Sequence, residues 1–334
     1  MSMEEKFNEF FNKFSIENKD SFNEIEIQRN NAMKERKNNK KLIYIVEIGL
    51  LIIFIFWIIA FGLEQDNDTI PEFCVLIAFW FPMIIALKKR KKLEEYEDVY
   101  QDKIIKNMVK YFGSNLEYYP HETIGDEDYR KMGTENFTEF NSSNIIKGVY
   151  RNNDINISKI ITKYTYTRNS YEGLFEEGPT FRKKTTSIET FEGIFVKAKL
   201  SQNIKTDLYI KSGAHLKWKI FENFIENINN LEQKNIKNID IDELNKFFAI
   251  FSSSSDYAVR ILDSEIKTIL VDIYNEQNFE LVIKDDYMYM RLWENGLFSN
   301  PGLKKDVDDK DVLYKNYKIL YVIFYLLTKF EERI

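Results

Sequence analysis

The sequence predicts an α+β cytoplasmic domain behind a two-helix transmembrane hairpin, with an N-terminal cytoplasmic amphipathic helix in front. Three observations predict it. Two long apolar stretches lie close together near the N-terminus, both flanked by basic residues. Phenylalanines recur at helical spacing ahead of them, and strand-like and helix-like patterns alternate behind them. The expected division is therefore 1–41, a cytoplasmic helical segment; 42–92, a hairpin with its basic flank; and 93–334, a mixed domain.

In the first segment Phe7, Phe10, Phe11 and Phe14 fall at i, i+3, i+4 and i+7. They form one apolar stripe on a helix otherwise rich in Glu, Lys and Asn, and such a stripe is expected to pack against protein. The first expected span, Leu42 to Leu63, holds one charge, Glu47. At about 1.5 Å per residue it covers a hydrocarbon core of about 30 Å. The second, Ile70 to Leu87, is shorter and carries Glu72, Pro71 and Pro82. The acidic connection between them has no Lys or Arg, whereas Lys34 to Lys41 and Lys88 to Lys92 are basic. The positive-inside rule then places both termini in the cytoplasm of a multi-pass inner-membrane protein. A cleaved signal peptide does not fit, because some forty polar residues precede the apolar run. Glu47 reads as a tolerated carboxylate near the cytoplasmic end of its span. The run Lys88, Lys89, Arg90, Lys91 and Lys92 reads first as a topology signal and second as a contact with anionic lipid headgroups.

Residues 93–112 continue in helical pattern and pair naturally with the N-terminal helix as a stalk. Beyond them the charge is net acidic, since residues 1–92 sum to +1 and the whole chain to −6. An acidic domain repels a phosphate backbone, so nucleic acid is not an expected partner. Ile160–Arg168 and Phe191–Leu200 are β-branched and aromatic, as strands are. Thr206–Lys211 is expected as a neighbouring strand and His215–Leu231 as a helix. Phe247–Phe251 reads as a buried strand, with a Ser or Asp after it capping one helix over Tyr257–Asn275. Phe279–Ile283 and Tyr287–Trp293 read as a hairpin across Lys284-Asp285-Asp286. The last helix carries Leu313, Tyr317, Leu320, Phe324 and Leu327 and is apolar on its other face too.

No pattern specifies a reaction. The single cysteine, Cys74, excludes disulfides and a CxxC pair within the chain. Gly173 and Gly178 have phosphate-loop spacing but are followed by Pro179-Thr180, so the phosphate-contacting lysine is missing. Asp306, Asp308, Asp309 and Asp311 lack the turn glycine and the final Glu of a calcium loop, and read as a helix start. Asp285 and Asp286 read as turn residues ahead of an acid/base pair. His121 is the residue type best suited to proton transfer near neutral pH, but the sequence pairs it with no motif, and His215 is weaker. No cofactor, metal or catalytic residue is assigned.

Several local strings carry a resemblance: Lys147-Gly148-Val149, Phe191-Glu192-Gly193-Ile194-Phe195, Phe247-Phe248-Ala249-Ile250-Phe251-Ser252, Ser254 with Asp256, Ala258, and Ile261-Leu262. On these the chain resembles an uncharacterised bacterial membrane-protein family, domain of unknown function 3137. The resemblance implies two N-terminal spans and a cytoplasmic mixed domain, and transfers no catalytic residues. The expected function is a membrane-anchored, non-enzymatic scaffold or adaptor that meets membrane lipids and a protein partner or a second copy of itself. The alternatives are a membrane-bound enzyme with a dispersed carboxylate site, or a lipid or small-ligand sensor.

Overall fold

A computed structural model describes residues 3–61, 93–132, 136–172, 180–212 except 203 and 205, and 225–333 except 227, 230, 231, 233 and 295. The chain forms two compact units, Met1–Ile104 with Asn300–Leu313, and Ile105–Ser299 with Tyr314–Ile334.

The first unit is helical. Helix α1 (Met3–Glu17) buries Phe7, Phe10 and Phe14. The Phe10 and Phe14 rings stack at 4.9 Å, and Lys310 lies 5.4 Å from the Phe11 ring. The stripe thus packs against protein, as its spacing predicts. Asn18 ends the helix, its backbone N–H and its Nδ2 both donating to Phe14 O at 2.9 Å. Helix α2 (Lys19–Phe61) follows. Arg29, nearly buried, donates to Lys305 O at 2.6 Å and to Glu26 at 2.8 Å. It thereby ties α2 to the carbonyl of Lys305. Residues 93–100 are helical and bury Tyr96 and Tyr100, and Lys103 forms an ion pair with Glu24 of α2.

The transmembrane hairpin, and with it the multi-pass inner-membrane localisation, is overturned. Among the described residues no helix is long and apolar enough to cross a membrane. Residues 42–61 continue a 43-residue helix whose N-terminal half carries Arg29, Lys34, Arg36, Lys37, Lys40 and Lys41. The apolar run is thus the C-terminal end of one longer helix of mixed character. The second expected span, 70–87, and the basic run Lys88–Lys92 lie outside the described residues.

Among the described residues the second unit is built on one nine-stranded antiparallel sheet, β1 (Leu116–Tyr119), β2 (Glu139–Tyr150), β3 (Asn153–Glu172), β4 (Thr180–Lys199), β5 (Leu208–Ser212), β6 (Lys237–Asn238), β7 (Phe248–Ser252), β8 (Phe279–Lys284) and β9 (Tyr287–Leu292). Their order is β1-β2-β3-β4-β9-β8-β5-β7-β6. Residues 101–105 form a π-helical turn leading into α3 (Lys106–Phe112), and α4 (Glu127–Arg130) is a single turn. Both two-residue hairpins have positive φ at each central position, Arg151 and Asn152 (47° and 72°) and Asp285 and Asp286 (53° and 63°). That is the turn whose twist matches the flanking strands.

Two local expectations change. The strand expected beside β4 is β5, which pairs with β7 and β8 instead. The helix expected over Tyr257–Asn275 is two, α5 (Ser255–Ile261) and α6 (Ser264–Tyr274). Ser254 caps the first through Tyr257 N, and Asp263 caps the second by accepting from Glu265 N and Ile266 N at 3.1 and 3.0 Å. A side chain that satisfies two free N–H groups makes a new helix start cheaper than a continuous helix there. The final helix, α7 (Lys310–Arg333), buries Leu313, Leu320, Ile323, Phe324, Leu326, Leu327 and Phe330. Lys329 and Tyr325 of α7 both reach Glu265 of α6.

Candidate functional site

One face of the sheet carries ionised groups inside an apolar core. Strand register places Phe195 of β4, Arg291 of β9, Glu280 of β8, Lys211 of β5 and Ala249 of β7 directly across from one another. Side chains opposite each other in a ladder share a face. Arg291 is 1% exposed and Glu280 3%. Lys211 Nζ lies 2.7 Å from Glu280 Oε1, and Arg291 forms an ion pair with Glu280 Oε2. Arg291 also donates to the Tyr129 hydroxyl at 2.9 Å. The guanidinium lies 5.2 to 5.5 Å from the rings of Trp293, Tyr129 and Phe191, which offer their negative faces to the charge.

This row is built to stay ionised. Burial alone would push the Glu280 carboxyl up, but Arg291 and Lys211 outweigh it and hold the group below the ordinary carboxylate range. A carboxylate so clamped does not exchange protons near neutral pH, so it is a poor general acid or base. The row ties the registers of three strands together instead, because any slip would separate buried opposite charges. Around it pack Phe137, Ile160, Phe191, Phe195, Tyr209, Phe251, Val282 and Tyr289.

Glu280 and Arg291 were legible in principle. Each stands five positions outside the Asp285-Asp286 turn, so a two-residue hairpin puts them opposite. Lys211 carried no such signal, because its strand arrives through long-range pairing.

The sequence-derived candidates fall elsewhere. Asp286 accepts from Ile204 N at 2.6 Å through its side chain and from Leu200 N at 2.7 Å through its carbonyl, which is turn chemistry. His121 is exposed beyond β1, and β1 stands four places from β9 in the sheet. At about 4.8 Å per strand that is about 19 Å from the Asp285-Asp286 turn, too far for a shared acid/base site. Asp309 accepts from Val312 N at 3.1 Å at the start of α7, which is the helix-start role its sequence predicts. Among the described residues no cluster of His, Cys, Asp or Glu is arranged to hold a metal ion. His215, Cys74, Gly173, Gly178 and Lys88–Lys92 lie outside the described residues, as does the side chain of Glu47.

A second feature lies on the surface. Strands β3 and β4 are 20 residues long and pair from Ile155↔Ala198 to Glu172↔Thr180, but β2 pairs with β3 only as far as Lys163 and β9 reaches only Ile194–Lys199 of β4. The distal halves therefore form a two-stranded ribbon without a third strand among the described residues. A bulge between Thr162 and Lys163 leaves Thr190 unpaired in the register and shifts the alternation of β4 by one. As a result Tyr164, Tyr166 and Ile188 share one face of the ribbon, and they are 42%, 38% and 51% exposed. Thr165 and Ser187 on the other face hydrogen-bond at 3.1 Å.

The sheet and its buried row define an antiparallel α+β module. Residues 189–332 match the family described as Protein of unknown function (DUF3137). The match takes in β5 to β9, the last part of β4 and all of the sequence strings above except Lys147-Gly148-Val149, which lies before it. A membrane location does not follow from the match. No curated protein matches the chain. Among solved structures, the crystal structure of the mycobacterial trehalose monomycolate transport factor A, TtfA, aligns with 8% identity and a TM-score of 0.29, covering 65% of this chain and 92% of that one. A superposition that loose carries no argument about fold or role.

Proposed function

We propose that this chain is a non-enzymatic scaffold or adaptor whose β3–β4 ribbon docks a protein partner. The observation that carries the reading is the exposed Tyr164–Tyr166–Ile188 face on a ribbon with open edges. Aromatic side chains give large contact area for little lost rotamer freedom, and truncating such anchors commonly costs a complex tenfold or more. The buried charges of Arg291, Glu280 and Lys211 support the same reading, because they are paired with one another.

The test places a photo-crosslinking amino acid at Tyr166 in the intact chain and compares it with a variant carrying Tyr164→Ser and Ile188→Thr. A discrete adduct is expected, reduced about tenfold in the variant, with the melting temperature unchanged because the replaced groups are exposed. Equal adduct yield from both proteins would overturn the proposal.

A further inference from the structure

We infer that the partner of the ribbon is a second copy of this chain, joined edge to edge through β4 in an antiparallel pairing centred on Thr186. The inference rests on the docking role of the ribbon and names what docks.

Among the described residues the longer open edge is that of β4, which has no neighbouring strand on that side from Thr180 to Gly193, whereas the open edge of β3 runs only from Tyr166 to Glu172. On the β3 side, Thr165 is already engaged by Thr138 and Glu139, with Thr165 N donating to Thr138 Oγ1 at 2.8 Å and Thr165 Oγ1 to Glu139 Oε1 at 2.8 Å. On the β4 side, β9 pairs only from Ile194 onward. An edge strand offers a row of backbone donors and acceptors to any strand that can run beside it.

Symmetry then restricts the register. Two identical strands pairing antiparallel through the same edge are related by a two-fold axis normal to the sheet, which keeps each face on its own side. Residues facing each other must therefore have the same alternation, and the axis must pass through a residue. Centring on Thr186 sets Lys183 opposite Glu189 of the second copy, and Thr185 opposite Ser187, each contact occurring twice. Centring on Thr185 or on Ser187 leaves Lys183 opposite Ser187 or Phe191 instead. Thr186 is thus the centre that pairs opposite charges, and Lys183, Thr185, Ser187 and Glu189 are all exposed. The run is rich in Thr, a β-favouring residue. The same axis brings the two Tyr164–Tyr166–Ile188 faces together as one apolar surface, with Tyr166 standing opposite Thr186 across the β3–β4 ladder.

The test measures the mass of the full-length chain by sedimentation across a concentration range. A species of twice 40.0 kDa is expected. Lys183→Glu and Glu189→Lys should each weaken association about tenfold, since each turns two attractive cross-strand pairs repulsive. Combining them should return affinity to within about threefold of the parent, because the swapped charges again face each other. Thr186→Cys with Cys74→Ser should form an interchain disulfide on oxidation, the symmetric pair lying within bridging distance. A chain that stays monomeric, or a double variant no better than the single ones, would overturn the inference. The crosslinker at Tyr166 separates the two readings. An adduct with a second copy supports both, and an adduct with a different protein overturns the second copy while leaving the ribbon as the docking arm. No adduct overturns both.

Discussion

Replacing Glu280 by Gln lowers the melting temperature by about 6–20 °C. The carboxylate answers both Arg291 and Lys211, so its loss leaves two cations facing each other in a nearly sealed core. Removing one partner of a buried pair costs about 3–5 kcal/mol, and in a unit of this size each kcal/mol moves the transition by about 2–4 °C. The acid limb changes too. Because the folded carboxyl titrates below its ordinary value, its stabilisation is fully present above the ordinary carboxylate range and is lost as pH falls through the lowered folded value. The variant should therefore lose less stability than the parent as pH falls below the ordinary carboxyl value of 4.5. A double replacement, Glu280→Leu with Arg291→Met, should melt higher than Glu280→Gln, since it removes the stranded guanidinium and leaves only Lys211, whose side chain is 12% exposed. Scanning calorimetry over pH reads all three. A drop under about 3 °C for Glu280→Gln would show that the row contributes little.

Gly193→Ala is the second large loss. A Cβ at this position would lie 2.0 Å from Leu292 O and 2.9 Å from Phe191 Cζ. The first is a backbone atom of the adjacent strand and cannot rotate away. Strand β9 must then move off β4, taking Trp293 from its edge-on contact with Phe191 at 4.9 Å. A clash of this kind costs about 3 kcal/mol or more, which is again about 6 °C or more. Gly125→Ala is the matched control, because nothing lies within 4 Å of its Cβ. Equal melting temperatures for the two variants would contradict the close approach. Gly148 repeats the theme from another side, with φ at +148° and a hypothetical Cβ 2.1 Å from Asn115 O. Glycines in two of the strings that carry the family resemblance thus have a steric reason to be there.

Much of this fold is legible locally. The Phe7, Phe10 and Phe14 stripe, the all-buried Phe248–Ser252 strand, the Ser254 cap and the Asp285-Asp286 hairpin each follow from spacing or turn chemistry within a few residues. What failed locally did so for physical reasons. The Tyr257–Asn275 pattern hid a second helix start, because Asp263 can cap a new helix as readily as it can sit exposed within one. The apolar run from Leu42 read as an isolated span because a hydropathy window ignores the charged helix it continues. The short strands β1 and β6 and the turn α4 left no clear period to read.

The sequence by itself determined the phenylalanine stripe, the buried Phe248–Ser252 strand, the Ser254 cap, the Asp285-Asp286 hairpin and a match to the unknown-function family over residues 189–332. Only the tertiary structure decided that β5 lies between β8 and β7, that Lys211 joins Glu280 and Arg291, and that half of the β3–β4 ladder stands alone. Periodicity, capping and turn geometry depend on neighbours a few residues away, whereas the order of strands depends on which distant edges meet. That order is what buries one set of charges and leaves the ribbon's aromatic face in the open.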